Sequence, residues 1–221
     1  MGHRVLALAA LLVASRALAA PTGRVVGKVT VVEADGKPAT GADVVVYVVG
    51  FDEPAAPGDD VKIVQKDRRF VPDLVAVTVG GTVSFPNGDP FLHNVFSQSG
   101  VRPFDLGSFK RGDTKTKDFP KPGVVEVYCN IHPEMAATIL VLPNRHHVQA
   151  APDGSFVLAG VPPGSWMVFA YTRRASRPVS APVVVEAGKD AMVNLALQRN
   201  TESDHRNKYG EKYHDAGGTY H

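Results

Sequence analysis

The stretch VYCNIHPEM, residues 127–135, holds the single cysteine of a 221-residue chain, with His132 three places on and Met135 three places after that. At that spacing a thiolate, an imidazole and a thioether fall on one short connecting loop, which can wrap around a single ion. Pro133 biases the backbone of His132 away from helix, as such a wrap needs. Three donors leave one place to fill, and upstream FPNGDPFLHNVFSQSG offers His93 at the edge of a predicted strand. Soft sulfur with nitrogen suits copper, and a trigonal Cys-His-His set with a long axial methionine is the blue-copper pattern for electron transfer. Zinc also accepts four nitrogen and sulfur ligands, although structural zinc sites use Cys and His without Met.

Taken singly, each of these residues has a plainer reading. Cys129 alone reads as a buried strand filler, Met135 as core, and His93 and His132 as satisfied loop histidines. A lone cysteine makes no internal disulfide, which leaves burial, intermolecular pairing or a thiol with a job. The combination of four donor types at loop spacing is what favours a metal.

The segments that must position these donors read as strands. Alternating or β-branched runs recur at 24–34, 42–50, 74–86, 93–97, 124–129, 137–142, 155–160, 166–172, 182–187 and 191–198. Turn signals separate them, among them Asp35-Gly36, Gly80-Gly81, Asn87-Gly88 and Asp153-Gly154. The 21 glycines and 17 prolines are spread along the chain, and no sustained helical apolar period occurs beyond the N-terminal segment. The predicted class is all-β and sandwich-like, with enough strands for two small domains.

Residues 1–19 have a short basic start, an apolar run from Val5 to Ala14 and the small-x-small pattern Ala17-Leu18-Ala19, which together predict a signal peptide. The run is too short for a membrane span, so the protein is expected to be periplasmic or secreted. The 24 basic residues exceed the 22 acidic ones only through Arg4 and Arg16, which would leave with that segment. The balance left behind offers no electrostatic footprint for nucleic acid. Residues 199–221 carry many charges and almost no aliphatic side chains, so the tail is expected to be disordered. His205, His214 and His221, with the adjacent His146-His147, are expected to be polar surface or at most weak metal collectors.

Two resemblances sharpen this reading. VVGKVTVVEADGKPATGADVVVYVVG resembles the opening of a carboxypeptidase regulatory-like, or transthyretin-like, β-sandwich. The continuation typical of that family, DGSFVLAGVPPGSWMVFAY, comes about a hundred residues later at 153–171, where Gly164 must let the chain turn sharply. Residues 24–54 plus 144–198 are therefore read as one discontinuous domain, with a second inserted at 61–143; the alternative is a single larger sandwich. The segment from Lys66 to Leu142 resembles a plastocyanin/azurin-type cupredoxin, on FVPDLVAVTVGGTVSFPNGD (70–89) and HNV (93–95). Its ligand loop, with two residues between His132 and Met135, is similar to that of amicyanin. The whole chain is similar to proteins labelled methylamine utilization proteins.

The cupredoxin resemblance implies one mononuclear type 1 copper held by His93, Cys129, His132 and Met135. It implies Asn94 as a second residue layer that ties the two ligand loops together. Asn130 follows the cysteine where relatives often carry Ser or Thr. The expected function is single-electron transfer between redox partners rather than catalysis, with His132 as the exit and Pro90, Phe91, Leu92 and Pro133 as a transient docking rim. The competing expectations are copper binding and delivery, or an adhesion module with structural copper whose outer sandwich contacts a glycan or cell surface. Trp166, Tyr47 and Tyr171 are the aromatic candidates for such a face, although their strands favour burial.

Overall fold

A computed structural model of the protein describes residues 21–53, 60–201 and 205–213. The predicted signal peptide and the end of the tail, with His214 and His221, lie outside the described residues. Strands β1 (Gly23–Val32) and β2 (Val44–Val49) come first. Ten more lie between residues 60 and 142: β3 (Asp60–Lys62), β4 (Val64–Lys66), β5 (Arg69–Val71), β6 (Leu74–Thr78), β7 (Thr82–Pro86), β8 (His93–Ser97), β9 (Phe104–Phe109), β10 (Thr114–Asp118), β11 (Gly123–Tyr128) and β12 (Ala136–Leu142). The last five are β13 (His147–Gln149), β14 (Ser155–Val161), β15 (Gly164–Thr172), β16 (Val179–Val185) and β17 (Asp190–Gln198). The described residues are all-β, and none of them forms a helix long and apolar enough to cross a membrane.

The sheets sort by residue range. Strands from the two ends of the chain build β14-β1-β17 and β13-β2-β15-β16, while strands from 60–142 build β6-β12-β11-β8-β9, β10-β7-β3 and the small pair β4-β5. Alternation explains most of these elements. In β14 and β17 the apolar residues Phe156, Leu158, Val193, Leu195 and Leu197 point inward and their neighbours face solvent. At the start of β15, Gly164 takes φ +154°, and a Cβ there would fall inside contact distance of the Trp166 ring.

Strand β12 joins the two parts, because both of its faces are buried. Ala137, Ile139 and Val141 enter a core with Phe85, Phe119, Val125 and Val127. The residues between them, Leu140 and Leu142, join Leu74 in the core built by β1, β2, β15 and β17. A period-two pattern with both phases apolar is what a strand between two cores requires.

Two features differ from the sequence expectation. The 74–86 stretch forms two strands, but β6 pairs with β12 while β7 pairs with β10 and β3, so they lie in different sheets. Strands β3, β4, β5, β9, β10 and β13 lie outside the predicted runs; in β9 and β10, FDLGSF and TKTKD are broken in their alternation or polar. These two form because neighbouring strands supply the ladder partners.

Tyr47 and Tyr171 are buried and Trp166 is partly buried, with its indole N–H donating to the Pro162 carbonyl at 2.8 Å. Of the tail, residues 199–201 and 205–213 are described. Arg199 pairs with Glu33, and residues 205–213 lie against the β8, β9 and β11 region.

Candidate metal centre

The donors converge at one end of the five-stranded sheet. Strands β11 and β12 form an antiparallel hairpin closed at Tyr128↔Ala136, and its connection is residues 129–135, the loop that carries Cys129, His132 and Met135. Two backbone bonds tighten that loop, from the Cys129 amide to the Met135 carbonyl at 3.2 Å and from the Met135 amide to the His132 carbonyl at 3.1 Å. His93 opens β8, which runs antiparallel to β11 with Phe96 opposite Tyr128. Moving from Phe96 back to His93 therefore runs alongside the loop beyond Cys129. A bulge between Asn94 and Phe96, seen in the β8–β9 ladder, bends the strand beside the site.

His93 Nδ1 lies 3.1 Å from His132 Nδ1, and Cys129 Sγ lies 3.9 Å from the first nitrogen and 3.7 Å from the second. His93, Cys129 and Met135 have no exposed surface, whereas His132 is partly exposed. Met135 is held in the same core as Cys129.

The triangle can be tested against a first-row ion with bonds of about 2.05 Å to nitrogen and about 2.3 Å to sulfur. The observed separations then subtend roughly 98° between the nitrogens and roughly 127° and 116° from sulfur to each nitrogen. These sum to about 340°, between a regular tetrahedron and a trigonal plane. The buried His93–Cys129–His132 group is consistent with a type 1 copper site, and its donor atoms all lie within 4.8 Å of one another.

The surroundings prepare each donor. His93 Nε2 lies 2.8 Å from Asp89 Oδ2, so this nitrogen carries the ring proton and donates it, leaving the Nδ1 lone pair facing the other donors. Asp89 is itself buried and accepts from the backbone amides of Asp67 and Arg68 at 2.8 and 3.0 Å. Burial alone would raise the Asp89 carboxyl, but the Arg68 amide, His93 and the Asp67 amide outweigh it and hold the pKa below the usual value. Burial pushes the Cys129 thiol up, partly offset by the backbone amides of Asn94, Ile131 and His132 aimed at sulfur. Burial, then the proximity of His93, lowers the pKa of His132, which favours the neutral ring that ligates.

Of the residues singled out in the sequence, His93, Cys129 and His132 meet directly, and Met135 is buried in their loop. The Asn94 side-chain amide donates to Asp105 at 2.7 Å rather than bonding the ligand loop itself. Phe91 packs against both histidines, with ring centroids 5.2 Å from His93 and 5.6 Å from His132, and the Arg68 guanidinium lies over its outer face. Leu92 is 52% exposed, and Pro90 and Pro133 are also exposed. His146 lies buried beside Glu53 and Phe51, and His205 stacks on Tyr128, so neither belongs to the donor group. Sequence reasoning missed Asp89; its one available signal was a carboxylate four residues before a candidate ligand.

No family model matches the chain, and no curated protein matches it. Among solved structures it is similar to a "Novel Purple Cupredoxin" from Nitrosopumilus maritimus, at 24% identity and a TM-score of 0.35, over 38% of this chain and 100% of that one. It is similar to amicyanin from Paracoccus versutus at 22% identity and a TM-score of 0.35, over 44% of this chain and 97% of that one. A copper-containing nitrite reductase from Thermus scotoductus matches at 24% identity and a TM-score of 0.37, over 52% of this chain but 28% of the reductase. These are partial likenesses, and the reading of the site rests on its own geometry.

Proposed function

We propose that this protein is an exported type 1 copper protein that carries single electrons between redox partners. His93, Cys129, His132 and Met135 would hold the ion. The observation that carries the reading is the buried convergence of two imidazole nitrogens and the lone thiol within 4.8 Å. Bound there, copper supplies a one-electron couple. The chain's part is to fix the donors so that little moves when the electron arrives. Asp89 orients His93, backbone amides stabilise the sulfur, and the loop's two internal bonds hold His132 and Met135. Four protein donors leave no open position for a substrate, which favours a carrier over a catalyst.

His132 is the partly exposed donor and lies beside Phe91, so electrons enter and leave through it. Pro90, Phe91, Leu92 and Pro133 form the small apolar rim on which a redox protein docks briefly. Residues 61–143 are the copper-binding domain, inserted into a carboxypeptidase regulatory-like sandwich made of 24–54 and 144–198. The sorting of the sheets by residue range supports that division.

The test is a visible absorption titration of the purified protein with Cu(II), beside Cys129→Ser. An intense thiolate-to-copper band that saturates at one ion and is lost in the variant is the expected result. A weak spectrum unchanged by the substitution would refute the assignment.

A further inference from the structure

The residues around the sulfur donor are gripped by the far end of the chain. His205 stacks on Tyr128, with ring centroids 4.2 Å apart and planes 16° from parallel. The Tyr213 hydroxyl donates to the Cys129 carbonyl at 2.7 Å, and its ring meets His205 edge-on at 5.2 Å. The Lys208 amide donates to Asn130 Oδ1 at 3.0 Å. Three consecutive residues, with the thiol in the middle, thus each have a partner in 205–213.

A second connection runs to the other side of the site. The Lys208 ammonium pairs with Asp105 at 2.8 Å, and Asp105 accepts the side-chain amide of Asn94, next to His93, at 2.7 Å. The chain Asn94–Asp105–Lys208–Asn130 therefore links the His93 strand to the cysteine loop through the tail. Gln98, just beyond β8, donates to the Lys208 carbonyl at 3.0 Å and anchors the same residue again. The segment is shaped for this contact. Asn207 Oδ1 accepts from the amides of Tyr209 and Glu211, and Gly210 turns the chain at φ +82°.

We propose that residues 205–213 are a working part of the metal centre, a C-terminal brace that fixes the Cys129 end of the ligand loop and couples it to the His93 strand. His205, Lys208 and Tyr213 are positioning residues for the sulfur donor. The inference rests on the copper reading for its consequence but on the tail contacts for its geometry. Without the brace, the loop yields toward the more tetragonal geometry that Cu(II) prefers.

The test uses the full-length chain with Tyr213→Phe and Lys208→Ala, and Met192→Leu as the control, since Met192 is 71% exposed on β17, outside this segment. In the metal-free protein, the buried Cys129 thiol is expected to react with a soluble aromatic disulfide about fivefold faster in each of the first two variants, the factor one net hydrogen bond is worth. Loaded with Cu(II), both are expected to bind one ion, to lose it to a chelator about fivefold faster, and to shift visible intensity toward the shorter-wavelength charge-transfer band. The control is expected to match the parent protein. Parent-like labelling rates and band balance in both variants would overturn the proposal. So would a lowered thermal midpoint with an unchanged spectrum, which would make the segment merely structural. A parent protein without an intense band would instead refute the copper reading, and the thiol-labelling comparison would still decide the brace.

Discussion

Replacing Asp89 by Asn removes a negative charge aimed at the site while keeping the side chain's size. The carboxylate lies 2.8 Å from His93 Nε2. Adding the width of an imidazole ring and a metal–nitrogen bond of about 2 Å places it about 7 Å from an ion on Nδ1. A unit charge at that distance in an effective dielectric of about 20 is worth about 2.4 kcal/mol, equivalent to about 100 mV for a one-electron couple. The charge favours the more positive, oxidised ion, so Asp89→Asn is expected to raise the reduction potential by roughly 100 mV. Weaker polarisation of the His93 ring acts in the same direction. The assay is a spectroelectrochemical titration of both proteins at pH 7. Asp118→Asn serves as control, since Asp118 is exposed and pairs with Arg102. An unchanged or lowered potential for Asp89→Asn, with the one-ion blue spectrum retained, would refute the argument that this carboxylate tunes the site through His93.

Further expectations follow from the same structure. The Asp105 carboxyl is pushed up by burial, but the Lys208 ammonium, the Gly107 amide and the Asn94 amide prevail and hold it below its usual value. Its stabilisation is therefore present at neutral pH and down to about pH 4, the ordinary aspartate range, and is lost as pH falls through its depressed value. Thermal midpoints measured from pH 6 to pH 2 are expected to show an acid limb that is flatter in Asp105→Asn; identical limbs would count against the ion pair. Gly164→Ala forces a Cβ against Trp166 at a positive φ and is expected to cost about 2 kcal/mol. Urea unfolding followed by Trp166 fluorescence checks this, and a change under about 0.5 kcal/mol would show that the turn adapts.

Residue type and loop spacing alone picked out the candidate donors Cys129, His132 and Met135. Cysteine, histidine and methionine are scarce, chemically distinct side chains, and three of them on one loop must lie near each other wherever the chain goes. His93 was harder to place, because its approach depends on β8 running beside β11. The all-β class was legible too, since a period of two with β-branched residues is a local signal. Only the tertiary structure decided what surrounds the donors. Asp89 and Asp105 are ordinary surface acids in sequence, and their partners Arg68 and Lys208 reach them through turns that no local pattern encodes. The described tail looked unable to order itself because it has almost no aliphatic residues. It docks instead through stacked rings and hydrogen bonds to residues far away in the chain. Composition reports what a segment can bury by itself, whereas a long-range contact depends on the surface that the rest of the fold presents to it.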